Sequence, residues 1–315
     1  MVPHSQRCSA PLWCLLLSFA TLARMDNGSF VAVTGATGGL GGRVARRLAD
    51  AGVRQRLVVR DPSRAPSLPG AEVAQATYDD SAAMREAFAG AAAVFLVSAA
   101  EHPERVRQHL AAVDAIADAG VQRVVYTSIV AAAPDATFTL ARHHWATEQR
   151  LRERGPAFTI LRDSIYLDFL PLMVGADGVI RGPGGDGRVG AVARDDVADV
   201  AATVLTTEGH EGATYDVTGG ESLSFSEVAA VLSEASGRTI RYQPETMEEA
   251  WESRRSYGAP DWEVEGWIST YAAIATGELA VVSDTVERIA GHPPLTLRQV
   301  LDRDPSLVAR LRAER

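Results

Sequence analysis

Three glycines spaced by threes, Gly35, Gly38 and Gly41, follow the apolar, β-branched run Phe30-Val31-Ala32-Val33-Thr34, and Leu40, Val44 and Leu48 fall at helical spacing. Strand, tight turn and helix in that order make an anion site. Gly35 supplies the turn, Gly38 lets the backbone approach a pyrophosphate, and Gly41 lets the helix pack on the strand. The amides at the helix start then face the phosphate charge. Thr37, Gly39 and Leu40 complete the turn and are counted with it as cofactor-binding. The spacing is GxxGxxG rather than GxGxxG, and glycine turns also occur without ligands. The flanking strand and helix therefore carry the assignment to dinucleotide binding.

A second group of candidates follows the next strand. Gln55–Val59 ends in Arg60-Asp61-Pro62-Ser63-Arg64. An acid here bonds the free 2′-hydroxyl of NAD, whereas an arginine accommodates the 2′-phosphate of NADP. Arg60 is the first residue past the strand, and Ser63 and Arg64 add donors behind it, which favours NADP. Asp61 keeps NAD open as the less favoured choice, and a solvated turn is the plain structural alternative.

These side chains need a scaffold. The pattern predicts a short strand over 72–76 and a helix capped by Asp80 or Ser81 that covers Met84, Ala87 and Phe88. A buried strand over 92–97 ends at Ser98, which should pass near the cofactor. A helix over 102–119 stops at Gly120, and a strand over 123–128 holds Thr127, also counted as cofactor-binding. The helix Thr139–Arg154 and a strand over 158–162 follow. Strands alternating with helices predict an α/β, Rossmann-like, doubly wound parallel sheet. Beyond Arg162 the glycine-rich stretch 175–190 reads as a loop, 193–198 opens a helix, and Thr214–Val217 is a further strand. From Gly219 on come a helix over 224–236, a strand over 239–242, and the aromatics Trp251, Tyr257, Trp262, Trp267 and Tyr271. The expected organisation is a dinucleotide-binding domain over 25–220 and a smaller lobe over 221–315 that helps cover the substrate.

Thr34-Gly35-Ala36-Thr37-Gly38-Gly39-Leu40-Gly41, Val59-Arg60-Asp61-Pro62, Tyr126-Thr127-Ser128, Ala193-Arg194-Asp195-Asp196-Val197-Ala198 and Tyr215-Asp216-Val217-Thr218-Gly219 occur in this order. Together they resemble the atypical short-chain dehydrogenases, and among these the NmrA-like group that includes type 2 NAD(P)H:quinone reductases and triphenylmethane dye reductases. The resemblance covers the chain from Phe30 to about Asp302. Two departures from the wider superfamily bear on the chemistry. Ser128 stands where the superfamily has its serine, but Tyr-x-x-x-Lys is replaced by His144-Trp145-Ala146-Thr147-Glu148. On a helix His144 and Glu148 share a face one turn apart, so the carboxylate is placed to orient or charge the imidazole. His144 is thus a candidate for a role beside the nicotinamide; a polar helix residue satisfied by Glu148 or solvent is the alternative. His143 points elsewhere. Tyr166 resembles a substrate-side tyrosine of the quinone reductases and is a candidate to hydrogen-bond an acceptor oxygen. Ser128, His144 and Tyr166 form the candidate catalytic set.

The chain of 315 residues contains no lysine. That removes a P-loop lysine, a Schiff-base lysine and the lysine of the superfamily pair. Alcohol oxidation then lacks its base. Hydride transfer to a quinone or cationic dye needs mainly positioning, because the product oxygens can take protons from water or a weak donor. The expectation is an NADPH-dependent reductase of a small conjugated acceptor. Its rival is a non-catalytic NAD(P)-binding redox sensor of the NmrA-like type, and monomer and homodimer both stay open. The net charge of -9 argues against a nucleic-acid partner. No metal is expected, since there is no HExxH, no cysteine in the fold and no clustered second carboxylate. Residues 1–24 carry Arg7, both cysteines (Cys8 and Cys14) and an apolar run over 12–23. That run is short for a bilayer. It resembles a signal peptide or short membrane anchor, but a start-site artefact or dispensable extension is favoured over a working export signal, and the chain reads as cytoplasmic with no membrane part.

Overall fold

Runs of β-branched residues without polar interruption are stable only where a sheet is covered on both faces, and such a sheet forms here. The computed structural model describes residues 29–313, so the expectations for 1–24 lie outside the described residues. From β1 (Phe30–Thr34) the chain passes through the glycine turn to α1 (Gly41–Asp50), β2 (Gln55–Val59) and β3 (Ala71–Gln75). Next come α2 (Ser81–Phe88), β4 (Ala91–Leu96), α3 (Arg105–Asp118), β5 (Arg123–Ile129), α4 (Thr139–Arg154) and β6 (Ala157–Asp163). A 3₁₀ segment, Leu167–Met173, leads to β7 (Val179–Gly182), β8 (Arg188–Val189), α5 (Arg194–Thr206) and β9 (Thr214–Val217).

The large sheet runs β3-β2-β1-β4-β5-β6-β9, with every pair parallel. This is the Rossmann-like arrangement, and strand order reverses between β1 and β4. A crevice opens at such a reversal beyond the carboxyl ends of the strands. Alternate strand residues face opposite helix layers. Val31, Val33 and Leu57 pack with Val44 and Leu48 of α1 and Val197, Val200 and Val204 of α5. Ala32, Val94 and Val124 pack with Met84 and Phe88 of α2, Ile116 of α3 and Leu151 of α4.

The remaining elements are β10 (Leu223–Ser224), α6 (Phe225–Ser236), β11 (Arg241–Pro244), α7 (Met247–Arg255) and α8 (Asp261–Ala275). A π-helical turn, Val286–Ala290, precedes α9 (Leu297–Arg303) and α10 (Pro305–Ala313). A capping box of Ser224 and Glu227 starts α6, which stops at Gly237 in the left-handed region. The stretch 175–190 is not only loop. It holds β7, which pairs parallel with β11, and β8, which pairs antiparallel with β10. Its glycines serve close approach: a Cβ on Gly187 would sit 2.2 Å from the Ile274 carbonyl oxygen. Residues before 220 are thereby tied into the C-terminal elements. Among the described residues no helix is long and apolar enough to cross a membrane.

Candidate cofactor and acceptor site

At the carboxyl ends of β1, β2 and β4 lies a cavity of about 380 Å³. Gly35, Thr37, Gly38, Gly39, Leu40 and Gly41 line it, together with Arg60 and Ser98. The Gly38 N–H closes the turn on the Gly35 carbonyl at 2.8 Å, and Gly35 sits at φ +63°. A Cβ on Gly41 would come 2.4 Å from the Gly35 oxygen, so only glycine fits there; on Gly38 the distance is 3.2 Å. Leu40 is the N-cap of α1 and makes no side-chain cap. The leading amides of that helix are thus not consumed by a capping side chain, as an anion site requires. The residues present fit a dinucleotide.

At the 2′ end, Arg60 is exposed and lines the cavity. Asp61 is occupied locally. It accepts the Ser63 N–H at 3.0 Å and the Ser63 hydroxyl at 2.7 Å, and these bonds hold its carboxyl below the usual range. Arg64 and Thr127 do not line the cavity. Thr127 stands behind it, its hydroxyl oxygen accepting the Ser98 N–H at 3.0 Å.

Sequence reasoning missed Tyr78. Its hydroxyl donates to the Val97 carbonyl, and burial pushes it up to about 12. Thr34 Oγ1 accepts the Val97 N–H at 2.8 Å and donates to the Phe95 carbonyl at 3.2 Å. These bonds clamp the ends of β1 and β4 together below the glycine turn. Asp79 also lines the cavity and binds Arg107 at 2.8 Å. The position of both residues just past β3, where ligands of such sheets bind, was the available signal.

The candidate catalytic residues all turn inward. The Ser128 hydroxyl donates to Glu148 Oε1 at 2.6 Å, and Glu148, with no exposed surface, also binds Arg162 at 2.7 Å and Arg152 at 3.3 Å. The expected pairing of Glu148 with His144 is therefore corrected. From one helix turn Glu148 reaches toward β5 and β6, whereas His144 reaches toward α3. His144 Nε2 takes a hydrogen bond from Arg105 Nη2, and its Nδ1 lies 2.8 Å from the Tyr126 hydroxyl. Burial and the Arg105 charge hold this imidazole well below its ordinary value. Arg105 Nε also donates to the Ala99 carbonyl at 3.0 Å, and His109 Nε2 accepts the Ala99 N–H at 2.8 Å. The network thus fixes the backbone of Ala99, which lines the cavity. The Tyr166 hydroxyl donates to Asp163 Oδ2 at 2.8 Å rather than toward the cleft. Asp163 is buried with little else to bond, and that burial pushes its carboxyl up to about 8.

Among the described residues the fold also gathers one cluster that the sequence pattern does not reveal, which corrects the expectation that no second carboxylate is clustered. Asp196, Asp199 and His292 bring ligand atoms within 4.8 Å of one another, because α5 packs against the π-helical turn that precedes His292. These carboxylates already serve other groups. Arg47 Nε donates to Asp199 at 2.6 Å, and Asp196 accepts the Leu295 N–H at 2.8 Å.

On the C-terminal side, Trp267 of α8 lies beside Glu101, which lines the cavity, and packs edge-on against Tyr257. Tyr271 is instead buried against Phe225.

Residues 27–254 match the NmrA-like family. The chain is 33% identical over 276 residues to quinone oxidoreductase 2 of Escherichia coli (strain K12), covering 85% of this chain and 96% of that protein. The crystal structure of NADPH-dependent quinone oxidoreductase QOR2 from Escherichia coli, complexed with NADPH, superposes with a TM-score of 0.80 at 32% identity, over 87% of this chain and 99% of that one. The Citrobacter sp. triphenylmethane reductase complexed with NADP(H) superposes with a TM-score of 0.77 at 33% identity, over 87% and 99%.

Proposed function

Because the chain belongs to the NmrA-like family, we propose that it is an NADPH-dependent reductase passing hydride to a quinone or similar conjugated acceptor. The observation that carries this reading is one cleft holding an uncapped glycine turn at one point and Arg60 at another, with no acid or base pointing into it from the candidate set. NADPH bound there supplies the hydride. The protein's own work is to hold and orient. The α1 amides and the glycine turn receive the diphosphate, and Arg60 receives the 2′-phosphate. The clamp of Thr34, Tyr78 and Val97 and the anchored Ala99 keep the β4 end rigid beneath the cofactor. Ser128, His144 and Tyr166 support this framework, and the reduced acceptor's oxygens take their protons from water. We assign the C-terminal elements, through Trp267 and Tyr257, to covering the acceptor.

Steady-state NADPH oxidation with a panel of neutral quinones tests the reading. Turnover above the oxidase background is expected with at least one quinone. Tight NADPH binding without turnover on any acceptor would favour the non-catalytic sensor.

A further inference from the structure

Arg194 opens α5, and its side chain lies along the glycine turn. A Cβ on Gly39 would sit 3.4 Å from Arg194 Cδ, 3.5 Å from Nε and 3.8 Å from Cζ. These are ordinary van der Waals distances, so the arginine side chain lies directly alongside the turn at Gly39. Three contacts hold it there. Its backbone N–H donates to Asp168 Oδ2 at 3.0 Å, its guanidinium carbon lies 4.6 Å from the centre of the Tyr166 ring, and Nη1 stands 3.8 Å from Asp168 Oδ1. The last distance is an ion pair beyond hydrogen-bond reach. The neighbouring arginines differ. Arg43 and Arg47 each hydrogen-bond two carboxylates, Asp168 and Asp195 for the first, Asp195 and Asp199 for the second. Arg194 therefore keeps its donors while being stacked, oriented and partly exposed next to the amides of an uncapped helix start.

We infer that Arg194 is a second cationic ligand of the dinucleotide, gripping its diphosphate at the glycine turn. This rests on the dinucleotide reading above. Arg60 lies past β2, toward the 2′-phosphate. Arg194 lies on the other side of the turn, beside Gly39 and Tyr166. The two arginines thus serve different phosphates, and the group Arg194 binds is common to NADPH and NADH.

The test is a fluorescence or calorimetric titration, at fixed salt, of NADPH, NADH, ADP-ribose and adenosine 2′-phosphate into wild type, Arg194→Gln, Arg194→Met and Arg194→Lys. A lost charge-assisted contact should weaken NADPH, NADH and ADP-ribose alike, by about 10- to 150-fold. Adenosine 2′-phosphate, which lacks the diphosphate, should bind unchanged. Arg194→Lys should recover part of the loss. Arg194→Met keeps the stem against Gly39 and Tyr166 while removing the charge, so it repeats the measurement if the glutamine variant does not fold. Wild-type affinity for ADP-ribose in either uncharged variant would overturn the inference. So would a loss confined to NADPH, or an equal loss for adenosine 2′-phosphate. A wild type that binds no dinucleotide would instead remove the cofactor reading itself, and the inference with it.

Discussion

Arg105 Nη2 lies 2.9 Å from His144 Nε2 in the interior between α3 and α4. A guanidinium offers donors only, so this imidazole nitrogen must accept, and the ring proton sits on Nδ1, facing the Tyr126 hydroxyl. His109 is fixed in the same tautomer, since its Nε2 accepts the Ala99 N–H. Both rings are therefore neutral in the folded protein, and burial with the Arg105 charge holds both well below the ordinary value of 6.5.

A stability loss in acid follows. Below pH 6.5 the unfolded chain protonates both imidazoles and the folded chain does not, so stability falls as pH falls. Each ring contributes about 1.4 kcal/mol per pH unit. His144→Gln can still accept from Arg105 and donate to Tyr126. It should reduce the slope between pH 6 and 5 by that amount in urea unfolding. An imidazole ¹⁵N titration of the wild type that finds His144 charging near 6.5 with the fold intact would refute the assignment.

Asp163 acts in the opposite direction. Its folded value of about 8 stands above the ordinary 3.8, so between these pH values the unfolded chain ionises and the folded chain stays protonated. Stability attributable to this group is present below pH 4 and is lost as pH rises toward 8. Asp163→Asn removes that loss while keeping an oxygen for the Tyr166 hydroxyl. It should raise stability at pH 7, by at most about 4 kcal/mol. Equal pH dependence of the two proteins between pH 5 and 8 would show that Asp163 is ionised in the fold.

Arg60 should decide cofactor choice. Arg60→Ala is expected to weaken NADPH by about 10- to 150-fold, the value of one charge-assisted contact, and to leave NADH almost unchanged. Asp61→Ala should change neither, because its carboxylate is committed to Ser63. Parallel titration of both cofactors into the three proteins distinguishes the roles. A wild type that prefers NADH would reverse the assignment.

Glu148 should matter for folding and Ser128 little for chemistry. Glu148→Ala leaves Arg162 and Arg152, both partly exposed, and the buried Ser128 hydroxyl without their partner and is expected to cost about 1–3 kcal/mol. Ser128→Ala should leave kcat for quinone reduction unchanged, since its hydroxyl is already given to Glu148. A large fall in kcat at unchanged KM and unchanged melting temperature would restore Ser128 to the catalytic set.

Much was legible in sequence because its cause is local. Gly35, Gly38 and Gly41 mark a turn through backbone sterics, and the alternation of apolar periods over 30–217 marks strands and helices one after another. The position of Arg60 at the cavity could be read too, since it depends only on following β2. The partners of His144 and Glu148 could not be read in this way. Helical spacing puts the two on one face, but which group each side chain reaches depends on α3, β5 and β6, whose residues Arg105, Ser128 and Arg162 are distant in the chain. The same holds for Arg194 against Gly39 and for Asp196 beside His292. Tertiary packing decided these because electrostatic and hydrogen-bond partners are chosen by distance in space. A burial that leaves Asp163 with only a tyrosine, or His144 with an arginine, leaves no periodic trace in the sequence.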